Sequence, residues 1–364
     1  MHKELNTIKL IREYMIESNQ IELETNDIDD MYHLFQFISK EGNKKFHSLY
    51  ILNYLYNFIV SDEVAKRKTS ARVFEDLLSI LLNGSLTDNQ SRKNIQSNVP
   101  DYFKFAKDKM AGNKREKIDL LFNNEYGVSV KTLIKSNKEI NLGSFEKKVL
   151  FDGLGVLDSL TERKSSKESG MGLGSKIQLK KLFLYLQKNN KYEEFRDRLV
   201  NMFNFIFEDD MILAIKNSTK LELYFIKGSD FTTLIEDNSN RLLGKLKKLI
   251  FTSNSRVLTL RDFEYHRIES NDVENLLSIL NRWEGNSIRI DREKLISSTS
   301  RKIVLDFSIL DKNIMKQVND FDELLHKNYI QYFHERDNKA IKDEVFTNLR
   351  ELFESFDRNY GELS

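Results

Sequence analysis

The stretch that most constrains the fold spans residues 116–131 and reads EKIDLLFNNEYGVSVK. A short apolar run over 118–122 is followed by five residues of turn composition and then by alternating apolar and polar residues, which is typical of a β-hairpin. Because residues two apart share a strand face, Ser129 and Lys131 are expected on the same side of the second strand. Asp119 stands near the start of the first strand, so an antiparallel return brings it beside them.

This hairpin has a chemical interpretation and a neutral one. A carboxylate and a lysine held together on rigid strands can bind a divalent cation and hold an attacking water next to it. An ordinary surface hairpin with an exposed aspartate and lysine would carry the same residues.

An aspartate, Asp119, followed after about ten residues by Ser-x-Lys, Ser129 to Lys131, resembles the catalytic core of the PD-(D/E)XK nuclease superfamily, which includes the type II restriction endonucleases. The resemblance covers about residues 70–150. Ile118 stands where the motif name has proline, and Ser129 stands where most members carry Asp or Glu. A serine hydroxyl is a poor ligand for a hard cation, so a second carboxylate must come from elsewhere.

Glu75 is the first candidate for that carboxylate. Apolar spacing predicts a helix from about Ser70 to Leu82, stopped by Asn83 and Gly84, with Glu75 at the shoulder of its apolar stripe. A carboxylate leaning toward an apolar face needs a partner, because unpaired burial of charge is costly. The segment also resembles the first helix of many superfamily members, whose glutamate completes the metal site. The alternative is a solvated glutamate that points outward.

Glu146 is the second candidate, and the two are not exclusive. It falls in the first turn of a helix expected after Ser144, fifteen residues beyond Lys131. This order resembles restriction enzymes in which the second carboxylate has moved to a helix. Alternatively, an acidic residue in a first turn simply complements the helix dipole.

Composition excludes several classes of protein. The 364 residues include no cysteine, which excludes disulfides, zinc thiolate sites and thiol catalysis and suits a cytoplasmic protein. No apolar run approaches membrane-spanning length, so no membrane partner is expected. The 57 basic and 56 acidic side chains nearly cancel, which still permits a basic DNA cleft within an acidic exterior.

A basic, glycine-rich stretch at 163–176 is the first candidate DNA contact. Its cations are Arg163, Lys164, Lys167 and Lys176. Glycine amides and cations suit a loop that orders over a DNA backbone, and a simple linker is the alternative. Arg301, at the edge of a strand-like segment, is a further candidate for DNA contact.

The whole chain reads as an α/β (α+β) protein with a mixed β-sheet, a restriction-endonuclease-like core flanked by helices, and helical N- and C-terminal regions. Strands are expected at 211–215, 221–226, 256–261, 287–291 and 302–307, and two amphipathic helices within 314–357. We divide the chain into a helical region at 1–60, a catalytic core at 61–158 and a DNA-contacting β/α region at 159–364. The three regions could also form one continuous domain.

The resemblance implies a Mg²⁺-dependent type II restriction endonuclease that cuts double-stranded DNA, with a DNA methyltransferase as its genetic partner. Asp119 with Glu75 or Glu146 would hold the metal, Lys131 would orient the water, and Ser129 would shape the strand. A repair or defence nuclease without strict sequence recognition is one alternative. A DNA-binding or scaffold protein that keeps the fold without chemistry is another, and a homodimer is an open arrangement.

Overall fold

The structure is a computed structural model. It describes residues 2–18, 27–41, 45–61, 70–87, 118–123, 126–144, 153–155, 185–186, 188–206, 210–233, 236–237, 240, 283–284, 287–329 and 339–361.

Helices lie at both ends of the described chain and between its strands. They are α1 His2–Glu17, α2 Ile28–Glu41, α3 Phe46–Leu55, α4 Ser70–Leu81, α5 Tyr192–Ile206, α6 Arg292–Ile296, α7 Lys312–Tyr329 and α8 Lys339–Gly361. A single π turn, Tyr56–Val60, continues α3, and a 3₁₀ turn, Phe307–Ile309, precedes α7. The predicted helix at 70–82 and the two C-terminal helices are therefore confirmed. In the described part of the chain, none of the helices has the length and apolarity that crossing a membrane requires.

Nine strands form two sheets in the described residues. They are β1 Ser85–Leu86, β2 Leu120–Phe122, β3 Tyr126–Ile134, β4 Glu139–Ser144, β5 Asp210–Lys216, β6 Lys220–Ile226, β7 Trp283–Glu284, β8 Ser287–Asp291 and β9 Lys302–Asp306. The larger sheet has the order β1-β2-β3-β5-β6-β9, and the smaller has β4-β8-β7. Pairing in the larger sheet is antiparallel except between β3 and β5, so this sheet is mixed, as expected.

The expected hairpin is present as strands β2 and β3. Leu120 lies opposite Val128, and Phe122 lies opposite Tyr126. On its other side β3 pairs with β5, with Ser129 beside Met211 and Lys131 beside Leu213. Strand β3 is thus paired with β2 over residues 126–128 and with β5 over residues 128–134, so β5 is the strand that supports Ser129 and Lys131.

The two faces of the larger sheet differ in what covers them. On one face, buried side chains such as Val128 and Val130 join one apolar core with helices α1 to α4, α7 and α8. Ser129 and Lys131 point to the opposite face because side chains alternate along a strand. The fold thus places apolar and polar residues of one strand in separate environments.

The smaller sheet links the region after β3 to a distant part of the chain. Strand β4 pairs with β8 from Glu139 opposite Asp291 to Ser144 opposite Ser287, with a register shift between Asn141 and Gly143. Ser144 is the last residue of β4, and the helix expected after it, with Glu146, lies outside the described residues.

Candidate active site

Asp119 is fixed by its backbone immediately before strand β2. Its N–H donates to the Val128 carbonyl at 2.9 Å, and its own carbonyl accepts from the Thr87 N–H at 3.1 Å. The Thr87 hydroxyl also donates to the Ile118 carbonyl at 2.8 Å. Neighbours on both sides of Asp119 therefore hold the position from which its carboxylate projects.

The Asp119 carboxylate meets strand β3 at three donors. Its Oδ2 atom accepts from the Val130 N–H at 2.7 Å and from the Ser129 hydroxyl at 3.3 Å. The Lys131 ammonium lies 3.6 Å from the same oxygen, and it also donates to the Val130 carbonyl at 3.3 Å. The predicted meeting of Asp119, Ser129 and Lys131 is confirmed.

Exposure increases across this group from serine to lysine. Ser129 is 3% exposed, whereas the side chains of Asp119 and Lys131 are 17% and 32% exposed. A buried hydroxyl that donates to a carboxylate fixes its orientation, and the exposed lysine is the member that an external molecule can reach. Ser129 is therefore placed to position Asp119.

Glu75 lies close enough to this group to interact with it electrostatically. Burial raises the pKa of Glu75, and the negative charge of Asp119 raises it further, while the positive charges of Arg72 and Lys131 oppose the rise. The expectation that Glu75 completes a metal site at the hairpin stays a prediction. The negative charge of Asp119 near Glu75 favours the uptake of a cation beside them.

Arg72 is a member of the site that sequence reasoning missed. Its Nη1 atom lies 3.3 Å from Oε2 of Glu75, and its Nε lies 3.6 Å from Oδ1 of Asp76. The signal was present in the helical spacing, because residues three and four apart on a helix are neighbours. With Arg72, the group holds two carboxylates near the hairpin and two cations.

The donor set suits a hard divalent cation that keeps part of its coordination for other ligands. Magnesium is commonly held by one or two carboxylates, with waters and substrate phosphates supplying the rest. Asp119 and Glu75 offer two such carboxylates. In the ranges that the structure describes, no three His, Cys, Asp or Glu side chains come together to hold a metal. Glu146, the other candidate ligand, lies outside those ranges.

Arg292 is a second residue that sequence reasoning missed, and it holds the turn after β3. Its Nη1 donates to the carbonyls of Lys135 at 2.8 Å and Asn137 at 2.9 Å. The other side of its guanidinium, Nε and Nη2, donates to Oε1 of Glu293 at 3.0 and 2.6 Å. This clamp fixes the path from the strand that carries Lys131 into β4.

The candidate DNA contacts stay predictions. Arg163, Lys164, Lys167 and Lys176 lie outside the described residues. Arg301 precedes β9, where its guanidinium pairs with Asp29 and lies 3.6 Å from Asp230. Its side chain is 24% exposed, so these pairs anchor it while part of it faces solvent.

The geometry of the group made by Asp119, Ser129, Lys131 and Glu75 is thus the main guide to what the protein does. Comparisons of this chain with protein-family models, with curated proteins and with solved structures gave no match.

Proposed function

We propose that this protein is a Mg²⁺-dependent endonuclease that hydrolyses phosphodiester bonds of double-stranded DNA. The observation that carries the proposal is the Asp119 carboxylate, held by Ser129 and the Val130 amide within 3.6 Å of the Lys131 ammonium. Glu75 adds a second carboxylate, whose pKa is raised by burial and by the charge of Asp119. This arrangement supports the nuclease interpretation over that of an ordinary hairpin, because a buried serine orients the carboxylate.

In this mechanism, Asp119 with Glu75 or Glu146 would hold the magnesium ion. When bound, the ion supplies concentrated positive charge against the scissile phosphate and the leaving oxygen. Lys131 orients the attacking water through its N–H groups and offsets negative charge that develops in the transition state. Ser129 keeps the Asp119 carboxylate in place, and the pairing of β3 with β5 at Lys131 holds the backbone of this lysine beside it.

The finer proposal is a type II restriction endonuclease that acts in the cytoplasm on a short duplex sequence, beside a cognate methyltransferase. Incubating the purified protein with unmethylated phage DNA and Mg²⁺, and sequencing the resulting ends, tests it. A sharp ladder with one sequence at every end is expected. Random ends would favour a repair or defence nuclease without strict recognition.

A non-catalytic DNA-binding or scaffold protein is the second candidate function. The observation that favours it is that the described residues bring only two carboxylates to the site and pair both with cations. Retention of DNA by the intact protein under Mg²⁺, with no cleavage at any concentration, would support this candidate and contradict the nuclease.

A further inference from the structure

We infer that Arg72 exchanges partners when the site takes up a divalent cation: it leaves Glu75 and contacts a backbone phosphate of the bound DNA. The inference rests on the proposed nuclease function and adds to it a residue that the hairpin motif does not include. Arg72 lies on α4, one helical turn before Glu75.

Without a divalent cation, Arg72 pairs with two acidic side chains of its own helix. Its guanidinium lies 3.3 Å from Glu75 and 3.6 Å from Asp76. The Arg72 side chain is 56% exposed, whereas those of Glu75 and Asp76 are 18% and 14% exposed. Arg72 is therefore the solvent-exposed member of these ion pairs, and Glu75 and Asp76 are the more buried members.

A bound cation would change the charge balance around Glu75 and Asp119. Glu75 and Asp119 carry two negative charges, and Arg72 and Lys131 supply two positive charges, so these four side chains balance. A divalent cation at the two carboxylates adds two positive charges and competes directly with the guanidinium for the Glu75 oxygens. An exposed ion pair contributes little stability, so Arg72 can be displaced at small cost.

The displaced guanidinium of Arg72 is suited to bind a phosphate. An arginine fork matches the two oxygens of a phosphate, and the pair is stronger than a neutral hydrogen bond. Asp76 lies 3.6 Å from Nε of Arg72, and this ion pair can keep the arginine near the site after it leaves Glu75. The excess positive charge at the loaded site is then met by the phosphodiester backbone.

Binding experiments with Ca²⁺ test the exchange without relying on turnover. Ca²⁺ takes oxygen ligands such as carboxylates. Gel electrophoresis of each sample checks that the duplex stays intact. In Arg72→Ala without DNA, we expect Ca²⁺ to bind about two- to fivefold more tightly, the fold-change that removal of an exposed competing ion pair predicts. Isothermal titration of the full chain measures it.

The salt dependence of duplex binding provides the second readout. With Ca²⁺ present, the slope of log affinity against log salt should be shallower by about 0.9 in Arg72→Ala than in the wild type, since the variant neutralises one phosphate fewer. Without Ca²⁺ the two slopes should agree, because Arg72 then stays on Glu75. Arg198→Ala is the matched control, since Arg198 makes the same type of helical ion pair with Glu194 on α5.

The outcomes separate this inference from the function beneath it. A wild-type protein that binds neither Ca²⁺ nor duplex overturns the proposed nuclease and the inference with it. A wild type that binds both, with an unchanged slope in Arg72→Ala under Ca²⁺, overturns the inference alone. A shallower slope with and without Ca²⁺ also overturns it, because binding of the phosphate by Arg72 would then not depend on the cation.

Discussion

Neighbouring residues of strand β3 belong to two different environments. Val130 is 5% exposed and packs in the apolar core shared with the helices, whereas Lys131 points to the opposite face, where it lies 3.6 Å from Asp119. One face therefore holds the strand in place, and the other presents polar groups at fixed positions. Stability and the proposed chemistry are therefore separable on this strand, because they depend on side chains of adjacent residues, Val130 and Lys131.

The largest expected effect is on catalysis, from substitutions on the polar face. Asp119→Ala and Lys131→Ala should each slow DNA cleavage by about 10²–10³-fold, the scale of losing one electrostatic stabiliser. Folding should survive, because both side chains reach solvent, and circular dichroism checks it. Lys220→Ala is the control, since this lysine pairs with Asp306 at 3.0 Å elsewhere on the same sheet. Wild-type cleavage by either folded variant would remove the catalytic assignment.

The next largest effect identifies which glutamate completes the metal site on the polar face. Glu75→Gln and Glu146→Gln remove charge while keeping size, and we expect Glu75→Gln to have the larger effect. It should weaken cation affinity by at least about 10–100-fold, the range for losing even an indirect partner of a metal. Titration with Mg²⁺ measures this, with Glu194→Gln as the control. If Glu146→Gln abolishes cleavage and Glu75→Gln is nearly silent, the carboxylate comes from the segment after β4.

The apolar face should show the reverse behaviour. Val130→Ala removes two buried carbons, so it should lower the free energy of unfolding by about 2 kcal/mol, between the costs typical of smaller and larger core truncations. Urea denaturation measures the decrease. Cleavage by the folded fraction should stay near the wild-type rate, because the Val130 N–H that binds Asp119 belongs to the backbone. A large loss of cleavage with unchanged stability would contradict the separation of the two faces.

The core also predicts a pH dependence through His47 on α3. Burial lowers the pKa of His47 from 6.5 to about 4, and the charge of Lys45 contributes to the decrease. Between pH 6.5 and pH 4, His47 binds a proton in the unfolded chain and not in the folded chain. The stability that the neutral, buried His47 allows is therefore complete above pH 6.5 and is lost as pH falls toward 4. The slope is at most about 1.4 kcal/mol per pH unit.

Unfolding experiments between pH 7 and pH 5 report mainly on His47, because most carboxyl groups titrate below this interval. His47→Gln should flatten the dependence over that interval, even if it lowers stability at every pH. Val130→Ala, which lowers stability without removing a titratable group, should leave the slope unchanged. Equal slopes in the wild type and in His47→Gln would show that protonation of His47 is not linked to unfolding.

The smallest expected effect concerns the basic stretch at 163–176. Neutralising Arg163, Lys164 and Lys167 together should flatten the slope of log DNA affinity against log salt by up to about 0.9 for each phosphate that the variant no longer neutralises. Specific and random duplexes should be weakened alike, because binding to phosphates carries no direct sequence information. The control neutralises exposed Lys312, Lys316 and Arg358. An unchanged slope would make the stretch a linker.

The sequence by itself determined the local elements and the core of the candidate site. The hairpin could be found because apolar alternation and turn residues act over a few positions, and the ten-residue spacing brings Asp119 to Ser129 and Lys131 once the strands pair. Helix α4 could be found for a similar reason, because its apolar residues recur at helical spacing. Glu75 at the edge of that stripe followed from the same periodicity.

Only the tertiary structure decided the long-range pairings and the ion pairs. Nothing local joins β3 to β5 or β4 to β8, because such pairings depend on which faces the whole chain can bury together. The same holds for Arg292 on the turn after β3 and for Arg301 beside Asp29. Long cationic side chains reach many partners, so their choice depends on what the fold brings near. Sequence spacing allowed Arg72 to meet Glu75, and the packing of α4 against the hairpin made that ion pair part of the candidate site.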